Sequence, residues 1–531
     1  MRRAGLWVPW LFVATIACAS CSSEGAAPEE DAGTTDATPS SDAGASPDGA
    51  APQPDAADGA PPAKGPPPSI LPVSYQRADV GTPLTPAELL AATDELIALL
   101  KDTRYFDFVD ERVHGWPKTS PGYWWGTFWT GISVTKSGGT VTYKHSNDGA
   151  DNAGIHTSPY LEGACYAHLL WGEAKTADLV RRIARGMTAW IVAMERSAGD
   201  TSPRILARSF YPPSVTSTEG GRSLDIDTTL SRPGIDAEPS DYIHHPNNPT
   251  LGDIWVKNKR SKDDIGHMLR AIAQSQACAP RFDAAAKSDM AQLQALYEAW
   301  ATDVDARGFV IPTRDASGNV YEPSLQLARY TTLGNVECIG TMAVRLFHIN
   351  DPGSIDCQSG FSSTEALAWS FLKNDARQIM RSHHAAAVVL AHRQSNTTQG
   401  LALLQGLGDR VSADYDMSTS ASPPAGYNPQ DAAAFMGYAA SVGVPLRSNE
   451  VRFLHARLHD AYVGMRDPAH KATFDLFSAS VPDGTYSFDP PNIGLFHRDL
   501  GVLLGTCASP YRNPTGRPLL DCNRLLAAFG N

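Results

Sequence analysis

The spacing of apolar residues along the chain predicts a mainly helical body. From residue 84 onward, apolar side chains recur at about 3.6-residue intervals, which is typical of helices that bury one face. Thr85-Pro86-Ala87-Glu88 opens the first stretch with the pattern of a capping box and a proline at the first helical position. Further helices are expected at about 158–172, 174–197, 262–277, 283–303, 323–348, 363–394, 429–442, 447–464, 493–505 and 516–528.

The predicted helices come in pairs joined by short turns, such as Gly172-Glu173-Ala174. Repeated pairs indicate stacked antiparallel hairpins, as in an open α-solenoid or a closed α/α toroid. Long segments from Arg112 to Tyr160 and from Thr201 to Arg260 interrupt the pairs, and we expect a small hairpin strand at Thr140–Tyr143. We therefore predict an α/α toroid, a barrel or incomplete barrel of helical hairpins with long aromatic-rich loops and a few short strands.

The N-terminal segment has the features of an export signal. Two arginines precede an apolar stretch from Ala4 to Ile16, and small residues surround Cys18 and Cys21. This segment is too short to be a transmembrane helix. Its end resembles the lipobox of bacterial lipoproteins, which implies that Cys21 or Cys18 carries a lipid after processing of residues 1–21. Neither cysteine has the usual leucine three positions before it, and a plain secretory signal is the alternative.

Residues 22–69 are composed almost entirely of small, polar and proline residues, without aromatic side chains. Such a segment cannot bury enough apolar surface to fold. Nine acids against one base, Lys64, place most of the net charge of −13 in this segment. The composition resembles the spacers of lipoproteins from high-GC Gram-negative bacteria such as myxobacteria. We predict a disordered tether that holds a single helical domain, residues 70–531, away from a membrane.

The remaining cysteines indicate disulfides in an oxidising compartment. They are Cys165, Cys278, Cys338, Cys357, Cys507 and Cys522. We expect two or three bonds, with Cys338–Cys357 and Cys507–Cys522 as the short-range candidates. No pair has CxxC spacing, which disfavours a thiol nucleophile or a metal site.

Several common functions lack their motifs. There is no basic tract or zinc-finger spacing, so we expect no nucleic-acid partner. There is no GxSxG, P-loop or GxGxxG, so we expect neither a serine hydrolase elbow nor a nucleotide site. His497-Arg498-Asp499 matches the catalytic-loop spelling of protein kinases, but no other kinase element accompanies it. We predict no metal and no cofactor.

Aromatic residues in the long segments are candidates for binding sugar. Trp124, Trp125 and Trp129 lie in the densest aromatic run, and flat indole faces stack on sugar rings; ordinary core packing is the alternative. The second long segment adds polar and aromatic candidates for substrate binding, namely Tyr242, His244, His245, Trp255 and Arg260.

Candidate acid–base residues lie at the start of the helix that follows. Asp263 or Asp264 precedes His267 by about one turn on the same face, where a carboxylate and an imidazole could act together. The alternative is a capping box formed by Ser261 and Asp264. Asp225 and Asp227 supply further carboxylates of the kind that glycoside hydrolysis needs.

In their general arrangement, the helical pairs and tryptophan-rich loops of residues 84–528 resemble those of toroidal glycoside hydrolases and polysaccharide lyases. The resemblance implies an exported carbohydrate-active enzyme of the cell envelope, either an outer membrane lipoprotein or a periplasmic or extracellular protein. In a hydrolase, Asp225, Asp227 or Asp264 would be the acid. In a lyase, His267 or Tyr242 would remove a proton beside a uronate and Arg260 would neutralise its carboxylate. The alternative is a surface lipoprotein without catalysis that binds glycan or protein.

Overall fold

The computed structural model describes residues 65–69, 76–103, 105–106, 132–145, 153–197, 203–211, 222–226, 242–257, 262–307, 311–314, 320–321, 404, 408, 411–412, 415–425, 428–467, 479–487, 495 and 497–529. The α-helices are α1 (Pro86–Asp102), α2 (Ala153–Trp171), α3 (Ala174–Val192), α4 (Lys262–Ser275), α5 (Ala284–Ala306), α6 (Pro429–Ser441), α7 (Ser448–Gly464), α8 (Gly505–Ala508) and α9 (Cys522–Ala528). Two 3-10 helices span Ala279–Arg281 and His497–Leu504. The predicted mainly helical fold is confirmed, and the helices expected at 323–348 and 363–394 lie outside the described residues.

Helix α1 forms where the capping pattern predicts it. The Thr85 hydroxyl accepts the Glu88 N–H at 3.3 Å, and the Glu88 carboxylate accepts the Thr85 N–H at 2.8 Å. Two of the N–H groups that a helix start leaves unpaired are thereby satisfied. Ala92, Leu96 and Leu100 are buried on the face that packs into the core.

Helices α2 and α4 run parallel to each other. Ile155 contacts Asp264 and Glu162 contacts Arg270 further along both helices. The same order along both helices means the same direction. Further along both helices, Cys165 and Cys278 form a disulfide with a Cα–Cα distance of 5.6 Å, which agrees with the parallel direction.

Helix α6 and the segment formed by the 3-10 helix 497–504 and α8 run in the same direction as α2 and α4. Tyr438 lies against Arg270, and Ser441 accepts a hydrogen bond from Gln274 one turn later. On the other side, α2 approaches the 3-10 helix so closely that a Cβ at Gly501 would lie 2.8 Å from the Cα of Gly163. Only glycine fits this crossing.

These four segments form an inner layer, and each turns back into an outer helix. The outer helices are α3, α5, α7 and α9, of which α3 packs on α5, while α1 packs on α7 and α9. A parallel inner layer with outer return helices is the arrangement that an α/α toroid requires. Closure of the ring would involve residues outside the described ranges, so the toroid remains a prediction.

Short strands form small sheets beside the helices. The predicted hairpin strand is confirmed, since β1 (Ile132–Ser137) pairs with β2 (Thr140–His145) through a turn at Gly138 and Gly139, which have φ of +56° and +84°. These strands belong to a sheet of order β4-β2-β1-β9, where β4 is Arg222–Ile226 and β9 is Gly484–Ser487. A separate antiparallel sheet consists of two short strands, β7 (Thr313–Arg314) and β8 (Val320–Tyr321).

The segment from 201 to 260 contains several of the predicted short strands. Besides β4 it holds β3 (Ser209–Tyr211), β5 (Tyr242–Asn248) and β6 (Gly252–Lys257), which form a sheet of order β3-β6-β5. Along β5 the burial alternates, with Ile243 and His245 buried and His244 exposed, as in a half-buried strand.

The predicted disulfide Cys507–Cys522 is present, with a Cα–Cα distance of 5.4 Å. It closes the turn between α8 and α9. Cys338 and Cys357, the other short-range candidates, lie outside the described residues. None of the described helices has the length and apolar character needed to cross a membrane.

Candidate functional site

A buried cluster of charged and aromatic side chains lies between the parallel inner helices. It contains Glu162 from α2, Arg270 from α4, Tyr438 from α6 and the adjacent Arg498 and Asp499 of the 3-10 helix. Both side chains of the Glu162–Arg270 pair are completely buried. Charged groups are almost never fully buried unless they are paired, so these residues mark a specific arrangement.

Arg270 holds one side of the cluster together. Its Nε and Nη2 both donate to Oε1 of Glu162, at 2.9 and 2.6 Å. The guanidinium also lies 3.6 Å from the ring centroid of Tyr438, a cation–π distance. The charge of Arg270 is therefore shared between a carboxylate and an aromatic face.

Tyr438 connects this pair to a second one. Its hydroxyl donates a short hydrogen bond to Oδ1 of Asp499, whose Oδ2 accepts from Nε of Arg498 at 3.2 Å. Nη1 of Arg498 lies 3.0 Å from Nδ1 of His156, at the start of α2. Because arginine can only donate, Nδ1 accepts and the proton of the neutral imidazole lies on Nε2.

Burial fixes the protonation of two of these groups at neutral pH. It lowers the pKa of His156 well below its usual range, and the positive charge of Arg498 adds to this effect. Burial also raises the pKa of Tyr438 well above its usual value, with the negative charge of Asp499 acting in the same direction. The cluster therefore offers a neutral imidazole and a protonated phenol.

For Glu162, the positive charge of Arg270 does not fully compensate the effect of burial on the carboxyl group. Burial raises the pKa of its carboxyl by more than the charge of Arg270 lowers it. Its Oε2 is buried without a hydrogen-bond partner among the described residues, as is Oε1 of Gln274 one turn beyond Arg270 on α4. A buried polar atom without a hydrogen-bond partner costs free energy. These atoms inside the layer therefore destabilise the folded protein.

His267 is the member of the predicted acid–base pair that joins the cluster. It is fully buried, its Nδ1 lies 3.4 Å from Nη1 of Arg270, and its ring meets Tyr438 edge to face at 5.9 Å. Asp264 is 4% exposed and accepts the Ile155 N–H at 3.1 Å, in the first turn of α2. Its other oxygen lies 3.7 Å from Nε of Arg208. Asp264 therefore caps α2, the neighbouring helix.

The two histidines predicted to bind substrate point to opposite faces of β5. His244 is exposed and its Nε2 lies 2.7 Å from Oδ1 of Asp253, whereas His245 is buried with Nδ1 3.4 Å from the carbonyl oxygen of Ala193. Burial lowers the pKa of His245. Successive strand residues face opposite sides, so this pair does not converge on one ligand.

The other predicted site residues are placed only in part. Asp225, Tyr242 and Trp255 lie on β4, β5 and β6, and Asp263 lies on α4, but their side chains are outside the described set. Several predicted residues lie entirely outside it, namely Trp124, Trp125, Trp129, Asp227, Arg260, Cys18 and Cys21.

Most of the cluster was missed by sequence reasoning. Glu162 and Arg270 lie within helices whose neighbouring residues are apolar, and a lone charge in such a stretch was the available signal. In the sequence, Arg498 and Asp499 stood out only as part of a motif that resembles the catalytic loop of protein kinases. Both residues belong to the cluster.

The cluster contains the components of acid–base chemistry. A neutral histidine can accept a proton, a protonated tyrosine can donate one, and arginines can stabilise negative charge. Within the described part of the chain, no three His, Cys, Asp or Glu residues are grouped closely enough to hold a metal ion.

Comparison with known proteins gives no match to a protein-family model, to a curated protein or to a solved structure.

Proposed function

We propose that this protein is an exported carbohydrate-active enzyme that cleaves a polysaccharide and that the buried cluster supplies its acid–base groups. The observation that carries the proposal is the meeting of His156, Arg498, Tyr438 and Arg270 in one network. The two disulfides support export to an oxidising compartment. The tether and signal support attachment to the cell envelope through a lipid on Cys21 or Cys18.

The composition of the cluster favours a lyase over a hydrolase. Elimination beside a uronate needs a base for the proton next to the carboxylate, a positive group on that carboxylate and an acid for the leaving oxygen. In the proposed reaction Arg498 moves from His156 to the substrate carboxylate, which frees Nδ1 to take the proton. Tyr438 then donates its proton to the leaving oxygen.

Hydrolysis fits the same residues less well. A glycoside hydrolase uses two carboxylates that face the bond from both sides. Here Glu162 is held by Arg270 and Asp499 by Arg498 and Tyr438, so neither carboxylate is available without breaking an ion pair. We therefore place hydrolysis second.

Substrate would have to enter from the end where the inner helices begin. His156 and Asp264 lie in the first turns of α2 and α4, and His156 is partly exposed there. Glu162, Arg270 and Tyr438 are buried, so catalysis requires the chain that covers these deeper groups to open.

The test is a screen of the mature chain against neutral and uronic-acid polysaccharides. Reducing ends report any cleavage, and ultraviolet absorbance of unsaturated products reports elimination. Tyr438→Phe removes the proposed acid and keeps the ring, and we expect it to lower the rate by about 100-fold or more. Tyr297→Phe is the matched control, because its buried hydroxyl donates to the Met187 carbonyl between α3 and α5, away from the cluster.

Reducing ends together with unsaturated products, lost in Tyr438→Phe but kept in Tyr297→Phe, would support the lyase. Reducing ends alone would favour the hydrolase. The alternative is a surface lipoprotein that binds glycan or protein without catalysis, which the closed state of the cluster favours. Retention of a polysaccharide without cleavage would support that alternative and contradict the enzyme.

A further inference from the structure

A cleft of about 310 Å³ lies at the opposite end of the inner layer, where α6 and α8 end. Its walls combine apolar and charged groups, and they include Pro66, Pro445, Thr506, Arg512, Asn513 and Arg517. None of the cluster residues lines the cleft, although Tyr438 lies only two residues before Ala440, which does. The cleft is therefore a separate feature, of a size typical for small-ligand sites.

Arg512 gives the cleft a positive charge for which the described residues supply no ion-pair partner. It is half-buried, and its Nη1 donates to the Ser509 carbonyl oxygen at 2.8 Å. Among the described residues, none of the ion pairs includes Arg512, whereas Arg517 on the same wall pairs with Asp79 at 2.5 Å. Burial lowers the pKa of Arg512, as expected for a cation that lacks a counter-charge.

The last residues of the tether form part of the rim. Gly65 donates its N–H to the Leu170 carbonyl oxygen at 3.1 Å and accepts from Arg281, and Pro66 lines the cleft. The Ser69 hydroxyl donates to the Arg512 carbonyl oxygen at 2.6 Å.

We propose that this cleft binds a carboxylate, held by Arg512, on a group about the size of one sugar or amino-acid residue. The planar guanidinium matches a carboxylate in a two-point hydrogen-bonded geometry. Proline side chains at positions 445, 514 and 518 supply an apolar surface for the remainder of the ligand. The carboxylate is that of a free uronate.

Calorimetric titration of the mature chain with glucuronate tests the proposal, with glucose as the uncharged comparison. We expect glucuronate to bind and glucose not to bind. Arg512→Gln should weaken glucuronate binding by about tenfold or more, because a charge-assisted hydrogen bond is lost. Arg524→Gln is the matched control, since this exposed arginine pairs with Asp94 outside the cleft. It should leave the affinity unchanged.

Two results would overturn the proposal. One is the absence of glucuronate binding. The other is binding that Arg512→Gln does not weaken. If Arg512→Gln fails to fold, Arg512→Lys replaces it, because lysine keeps the charge and loses the planar fork. An affinity for Arg512→Lys equal to that of the natural chain would then reject the site.

Discussion

Glu162 and Arg270 are the two most completely enclosed charges of the cluster, and each is the other's ion-pair partner. Removing one member of a buried pair leaves an uncompensated charge, which destabilises far more than removing both. The pair is therefore a sensitive probe of the interior between α2 and α4.

We predict that Glu162→Gln lowers the free energy of unfolding by about 3–5 kcal/mol, because the charge of Arg270 stays buried without its counter-charge. Replacing both residues, with Glu162→Leu and Arg270→Met, should recover most of this loss. Denaturant unfolding followed by circular dichroism measures both effects. Unchanged stability of Glu162→Gln would instead mean that Glu162 is already uncharged in the folded protein.

At the scale of single residues, sequence identified the residue types of a site but not their location. Most predicted site residues are polar and aromatic residues of the long segments, because functional residues are usually concentrated in loops. Of the catalytic candidates, His267 joins the cluster and Asp264 caps a neighbouring helix. Glu162 could not be singled out, because its partner is 108 residues away in the chain.

Among the elements, α1 shows how local signals succeed. Thr85, Pro86 and Glu88 determine where the helix starts through contacts within four residues, so the pattern is sufficient. Strand β5 shows the opposite case. Ile243 and His245 are buried while His244 is exposed, but this alternation is interrupted by Pro246 and depends on pairing with β6.

The link between α1 and α7 should depend on pH through Glu88. Hydrogen bonds from Arg452 and from Thr85 lower the pKa of Glu88 to about 2, from an ordinary value of 4.5. The folded state therefore favours the ionised carboxylate. Its contribution to stability is present above pH 4.5 and is lost as the pH falls towards 2.

We predict that Glu88→Gln destabilises the protein near neutral pH and that the difference from the natural chain shrinks as the pH falls through this window. Unfolding curves across the acid range measure the difference. Asp460→Asn serves as the control, since Asp460 pairs with Arg457 on the same helix and links no second element. A difference that stays constant with pH would show that Glu88 acts through packing or capping alone.

On the scale of the whole molecule, the two disulfides seen in the described residues constrain very different lengths of chain. Cys165–Cys278 closes a separation of 113 residues and joins α2 to the turn after α4, whereas Cys507–Cys522 closes 15. In the chain-entropy description, a bond contributes about 3 kcal/mol for a 15-residue loop and about 4.7 for a loop of roughly 100 residues.

We predict that replacing both cysteines of the longer link by alanine lowers stability by about 1–2 kcal/mol more than the same change in the shorter link. Thermal and denaturant unfolding of the two double variants gives the comparison. Equal losses would contradict the entropic account and indicate that local packing around each bond decides its contribution.

The architecture as a whole was partly accessible from sequence. The helical pairs follow from apolar periodicity, and most predicted boundaries agree with the structure within a few residues. The parallel order of the inner helices was not accessible in the same way, because it depends on contacts such as that between Gly163 and Gly501. Periodicity shows which face of a helix is buried but not what covers it.

The contact between α2 and the 3-10 helix 497–504 affects when the protein can fold during its synthesis. His156 and Arg498 are separated by 342 residues, so the face of α2 that packs on this 3-10 helix has no cover until nearly the whole chain has been synthesised. This part of the core can form only once the C-terminal residues are present. Prematurely terminated chains would leave that face open, which makes them natural targets for chaperones and proteases.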